Sequence, residues 1–71
     1  MEIKMEYVES DYLEYIGYDE DSSTLRIQFK GDKTFDYYDF PESEWHELRE
    51  ADSKGKFFHS RIKGQYDYSE V

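Results

Sequence analysis

The chain predicts a small α+β domain: an antiparallel meander sheet of three to four strands with two short C-terminal helices packed on one face. Three observations lead there. Apolar and polar residues alternate through the first half of the chain. Short polar breaks separate those stretches. After Phe40-Pro41 the apolar spacing lengthens from two residues to three and four.

Taken in order, Ile3, Met5 and Tyr7 alternate with Glu2, Lys4 and Glu6, a half-buried strand that Ser10-Asp11 interrupts. Glu14 to Asp19 is a second extended stretch, with Ile16 and Tyr18 on one face and Gly17 between them. Asp19 to Ser23 is a polar connection. Leu25, Ile27 and Phe29 against Arg26, Gln28 and Lys30 form the most regular strand of the chain. Gly31-Asp32 predicts a hairpin turn of the type that begins with glycine. Lys33 to Tyr38 returns, with Phe35 and Tyr37 facing the core under Trp45 and Leu48, and Tyr38 facing away. Sequential strands with short turns make a meander, and the first strand adds to one edge.

Pro41 suits the first turn of a helix, and Glu42 and Glu44 suit its positive end. Trp45, Leu48 and Ala51 supply the inward stripe of this acidic helix over 42–52. Ser53 predicts the N-cap of a second helix, in which Phe58 and Ile62 share a face. Gly64 ends that helix, and residues 65–68 trail off as coil or a short extended piece.

With 71 residues, the chain predicts a single domain over 1–71 near the lower size limit for folding without a staple. There is no cysteine, so neither disulfide nor thiolate metal site supports it, and no oxidising compartment is indicated. The mean hydropathy of −1.09 is low. Aromatic residues nevertheless make up 20% of the chain, and each buries about 150–250 Å², enough to close a small core. No apolar run reaches the length of a membrane span, and the N-terminus does not resemble a signal peptide, so a cytoplasmic protein with no membrane partner is expected.

Charge is unevenly distributed. Residues 1–52 carry five Lys or Arg and sixteen Asp or Glu, whereas residues 53–64 hold Lys54, Lys56, Arg61 and Lys63 and no carboxylate. The net charge of −9 opposes non-specific nucleic-acid binding. Opposite faces of so small a domain lie roughly 25 Å apart, about three Debye lengths at physiological salt, so a local basic surface can act independently of distant carboxylates.

The run from about residue 10 to 68 resembles the KTSC domain, a short module found at the C-terminus of some lysyl-tRNA synthetases and as stand-alone bacterial or phage proteins. The residues that carry the resemblance are Ile16-Gly17-Tyr18-Asp19, the alternation from Leu25 to Phe29, Phe35-Asp36-Tyr37 and Phe40-Pro41 before a helix. Ser53-Lys54-Gly55 with Phe57-Phe58, Ile62 and Tyr66 completes it. The chain departs from that pattern at Phe35, His59 and Asp67, where tyrosine, asparagine and proline are expected. The resemblance implies a domain of undefined function with a suggested RNA-binding role.

Lys54, Lys56, His59, Arg61, Lys63 and Tyr66 are the candidate nucleic-acid contacts. Cations neutralise phosphates, and aromatic rings stack on unpaired bases of RNA or single-stranded DNA. The plainer reading lays the same cations against the acidic helix 42–52. A different class of function uses the acidic surface, with Asp36, Asp39 and Glu44, to meet a basic protein partner, as a phage-type nucleic-acid mimic does. Tyr12, Tyr15 and Tyr38 would join such a contact if exposed together. Ser53-Lys54-Gly55 lacks the spacing of a nucleotide-binding P-loop. Asp19, Asp21 and Ser23 open like a calcium loop, but Thr24 and Lys30 stand where glycine and glutamate are needed. His46-Glu47 begins like a zinc-protease helix whose second histidine is Glu50. No metal, cofactor or catalytic activity is therefore expected.

Overall fold

The computed structural model describes residues 3–71; Met1 and Glu2, and with them the expected polar position of Glu2, lie outside the described residues. Strands β1 (Met5–Tyr7), β2 (Leu13–Asp19), β3 (Thr24–Phe29) and β4 (Lys33–Tyr37) precede helix α1 (Glu42–Glu50). Helix α2 (Lys54–Phe57) runs directly into a π-helical turn, Phe58–Ile62, and β5 (Tyr68–Glu70) follows. All neighbours pair antiparallel in the order β1-β2-β3-β4-β5. The sheet thus has five strands rather than three to four. The fifth was not predicted as a strand because its three residues are all exposed and carry no alternation of burial. It becomes a strand by pairing with the edge of β4. The radius of gyration is 10.8 Å and the extents are 28 × 24 × 22 Å, so far faces are separated as the chain length implies.

Alternation places the expected residues inward. Leu13, Ile16, Leu25, Ile27 and Phe29 are buried on the face that carries the helices, with Trp45, Leu48, Phe58 and Ile62 packed above them. Tyr18 stacks on Trp45 (5.5 Å, 17°) and donates a hydrogen bond to the Phe40 carbonyl. Phe35 and Tyr37 also lie on this face and join the same core as Trp45 and Leu48, and the rings that meet them are those of Phe29, Phe58 and Tyr68. The two helices divide the sheet: α1 lies toward β2, and the π-turn lies toward β4.

Local chemistry fixes the joints. Ser10 Oγ accepts hydrogen bonds from the Tyr12 and Leu13 amides and starts β2. Asp19 accepts from the Asp21 amide and the Ser22 hydroxyl, so the calcium-like run uses its first carboxylate to close its own turn. Gly31 and Asp32 both have positive φ (96° and 65°), so the hairpin needs left-handed backbone at both residues, and not at the glycine alone. Pro41 is the N-cap of α1 rather than its first helical residue. Ser53 is the N-cap of α2, its hydroxyl accepting from the Lys56 amide.

The first strand corrects an assumption about faces. Glu6 pairs with Ile16 and Tyr7 with Tyr15, which turns Met5 and Tyr7 to the side away from the helices. Glu6 is left beneath α1, where Arg49 bonds it at 3.1 Å. Gly17 permits the pairing: a Cβ there would lie 2.7 Å from the Lys4 carbonyl and 2.6 Å from Met5 Sδ. Backbone cannot swing aside as a side chain can, so Gly17→Ala should push β1 off the sheet at a cost of about 1–3 kcal/mol. Hydrogen exchange would show it as lost protection of the β1 amides. Unchanged protection would mean that β1 approaches β2 less closely than described.

On the open face the row Gly17, Arg26, Asp36, Ser69 crosses four strands. Arg26 grips Asp36 with two hydrogen bonds (2.7 and 3.0 Å), and this bond raises the guanidinium pKa above its ordinary value.

Candidate nucleic-acid interface

The basic segment does not form one surface. Lys54 Nζ donates to the Ala51 carbonyl (3.0 Å), capping the C-terminal end of α1. Arg61 is bonded to Glu44, lies 3.6 Å from Glu47, and places its guanidinium 5.1 Å from the Phe57 ring centre. The Glu44 bond raises the pKa of Arg61. Arg61 therefore follows the plainer reading of a cation laid against the acidic helix. Tyr66 is half-buried against Phe40 (4.8 Å), and burial raises its phenol pKa. Lys54, Lys56 and His59 do share one cleft. Lys63 lines another.

That other cleft was not anticipated. It has a volume of about 480 Å³ and lies on the helix-bearing face, between β4, β5 and the π-turn. Phe29, Phe35 and Tyr37 make its floor, Phe58 and Tyr12 one wall, and Tyr68 the other. Register explains the arrangement: Tyr37 pairs with Tyr68, so both rings stand on the same face, 5.6 Å apart. Phe35 meets Phe29 at 5.7 Å and Tyr68 at 5.8 Å, both edge to face, the geometry that ring quadrupoles favour. Burial pushes the Tyr37 phenol up to about 12, so it stays a neutral hydrogen-bond donor well beyond physiological pH.

Three cations rim these rings: Lys30 at the end of β3, Lys33 at the start of β4 and Lys63 after the π-turn. Among the described residues no carboxylate lines the cleft, although the chain has 18 of them. Among the described residues none of the three ammonium groups bonds a carboxylate. The backbone directs Lys63 here. The Lys63 amide closes the wide π-turn on the Phe58 carbonyl (2.8 Å), and Gly64 then takes a positive φ of 78° that turns the chain toward β5. Sequence reasoning missed Lys30 and Lys33 because they belong to the acidic part of the chain. The available signal was Phe29-Lys30-Gly31-Asp32-Lys33-Thr34-Phe35, a hairpin tip with a lysine within two residues of each ring.

The acidic alternative loses two of its three residues to internal bonds. Asp36 is only 7% exposed and held by Arg26, and Glu44 is held by Arg61; Asp39 is exposed. Tyr12, Tyr15 and Tyr38 are not exposed together, since Tyr12 lines the aromatic cleft while Tyr15 and Tyr38 stand on the open face. Among the described residues no cluster of His, Asp and Glu has the arrangement to hold a metal ion. No helix among the described residues is long and apolar enough to cross a membrane.

Residues 9–66 match the family model of the KTSC domain. The chain belongs to the KTSC family. A KTSC domain protein of Yersinia pestis has a crystal structure that superposes with a TM-score of 0.95, at 34% identity and over 99% of both chains. A protein of Tsukamurella paurometabola is 34% identical over 62 residues, 87% of this KTSC chain and 92% of that relative. A lysine–tRNA ligase of Nostoc is 32% identical over 63 residues, 89% of this chain but 11% of the ligase, so the KTSC domain spans a small part of the ligases it matches.

Proposed function

We propose that this KTSC domain is a small non-catalytic cytoplasmic module that binds single-stranded RNA through the aromatic cleft. The observation that carries the reading is the cleft's make-up: the exposed rings of Tyr12 and Tyr68 over a buried aromatic floor, bordered by three lysines that, among the described residues, pair with no carboxylate, on a strongly acidic chain. Tyr68, 61% exposed, offers a face for a base, and Phe35 backs it. Lys30, Lys33 and Lys63 are placed for phosphates on either side. The similarity to part of a lysine–tRNA ligase supports an RNA partner.

Two properties follow. Three phosphate contacts predict a salt slope of about −2 on a log–log plot for a single strand. Removing the stacking face by Tyr68→Ala should weaken binding by about five- to 150-fold, equivalent to roughly 1–3 kcal/mol per stacked base. Titration of labelled protein with a short RNA at low salt should shift the amides of Lys33, Phe35, Lys63 and Tyr68. Binding that ignores salt, or shifts confined to α1, would remove the cleft as the contact surface.

A further inference from the structure

Tyr12 and Lys30 line two clefts at once. On one side is the aromatic cleft; on the other is a cleft of about 600 Å³ that includes Ser10, Asp11, Asp52, Ser53, Lys56 and His59. Tyr12 is the ridge between them. The residue is 42% exposed, and its ring is braced by Phe29 at 5.2 Å and laid within 31° of parallel against His59 at 4.8 Å.

The two clefts differ in chemistry. The second is lined by three carboxylates (Glu9, Asp11 and Asp52) and three lysines (Lys30, Lys54 and Lys56) together with His59. With its charges balanced, it has little net attraction for a phosphate alone. Its strength is in hydrogen bonding. Ser10 Oγ already accepts from the Tyr12 and Leu13 amides, and Ser53 Oγ from the Lys56 amide. Each hydroxyl proton therefore remains to be donated. The carboxylates are acceptors for a hydroxyl group. Donors, acceptors and a cation in one polar cleft match a sugar with its adjoining phosphate.

We propose that a single strand of RNA crosses the Tyr12 ridge, with one base in the aromatic cleft and the next nucleotide's ribose and phosphate in the polar cleft. This rests on the aromatic cleft being an RNA site. The carboxylates of the polar cleft accept from the 2′-hydroxyl, the group that separates RNA from DNA. Lys30, shared by both clefts, takes the phosphate that joins the two nucleotides, and Lys56 takes the one beyond.

Three probes test it by amide shifts and affinity: adenosine monophosphate, a four-residue adenylate RNA and the matching deoxyadenylate. The mononucleotide should shift Phe35, Lys63 and Tyr68 alone. The RNA should also shift Ser10, Asp11, Ser53 and Lys56, and bind about fivefold tighter than the DNA, the worth of one hydrogen bond. Lys56→Ala and Asp11→Ala should each reduce the advantage of the four-residue RNA over the mononucleotide. If the longer RNA shifts only the aromatic cleft, or DNA binds as well as RNA, the second subsite is overturned while the aromatic site stands. If no probe shifts Phe35, Lys63 or Tyr68, both are overturned.

Discussion

Phe58→Ala is expected to cost about 3–5 kcal/mol. That is a large part of the total for this chain, since small domains hold about 0.05–0.15 kcal/mol per residue. Phe58 is 3% exposed, and its ring meets those of Tyr12, Phe29 and Tyr37 at 5.8, 5.1 and 5.8 Å. It is also the first residue of the π-turn, so the same side chain ties the C-terminal segment to the sheet and walls the aromatic cleft. Removing the ring leaves a void among other rings, which are too stiff to collapse into it. Thermal denaturation should show the midpoint falling by about 15 °C or more. Phe58→Leu, closer in volume, should stay folded and report the cleft: the RNA binding proposed for it should weaken because the wall is lower. A Phe58→Ala midpoint within a few degrees of the parent would show that the π-turn is not anchored by this ring.

Trp45→Ala should be comparably damaging, about 3–5 kcal/mol, and leave the protein largely unfolded. Trp45 lies in the second turn of α1, buried over Tyr18, while Arg49 covers its outer side with the guanidinium 5.4 Å from the ring. Without the indole, Tyr18 loses its stacking partner and α1 loses its broadest contact with β2. This helix stands apart from the aromatic cleft. Trp45→Phe, milder in volume, should therefore lower stability while leaving the proposed RNA binding unchanged. Circular dichroism and urea titration separate these outcomes, and a well-folded Trp45→Ala protein would contradict the packing of α1.

Much of this was legible because it is encoded within a few residues of itself. The alternation of Leu25, Ile27 and Phe29 specifies a strand and its buried face without reference to anything distant. Ser53 caps its own helix, and the spacing of Phe58 and Ile62 brings both to one side. The basic segment was legible as a charge pattern but not as a surface. Its cations follow one another along a helix that widens into a π-turn, so successive side chains leave in different directions. Arg61 goes to Glu44, Lys54 to the end of α1, and Lys63 to the cleft beside β4 and β5. Nothing local announces a π-turn.

The amino-acid sequence by itself determined the α+β class, the meander, the aromatic core and membership of the KTSC family. These depend on periodicity, turn chemistry and residue order, all of which act over short stretches of chain. Tertiary structure alone decided the fifth strand, the outward face of Met5 and Tyr7, and the meeting of Lys30, Lys33 and Lys63 around one set of rings. Each of those depends on which strand edge a segment reaches and in what register. That choice is made by contacts between residues far apart in the chain, where a shift of one residue would send every side chain of a strand to the other face.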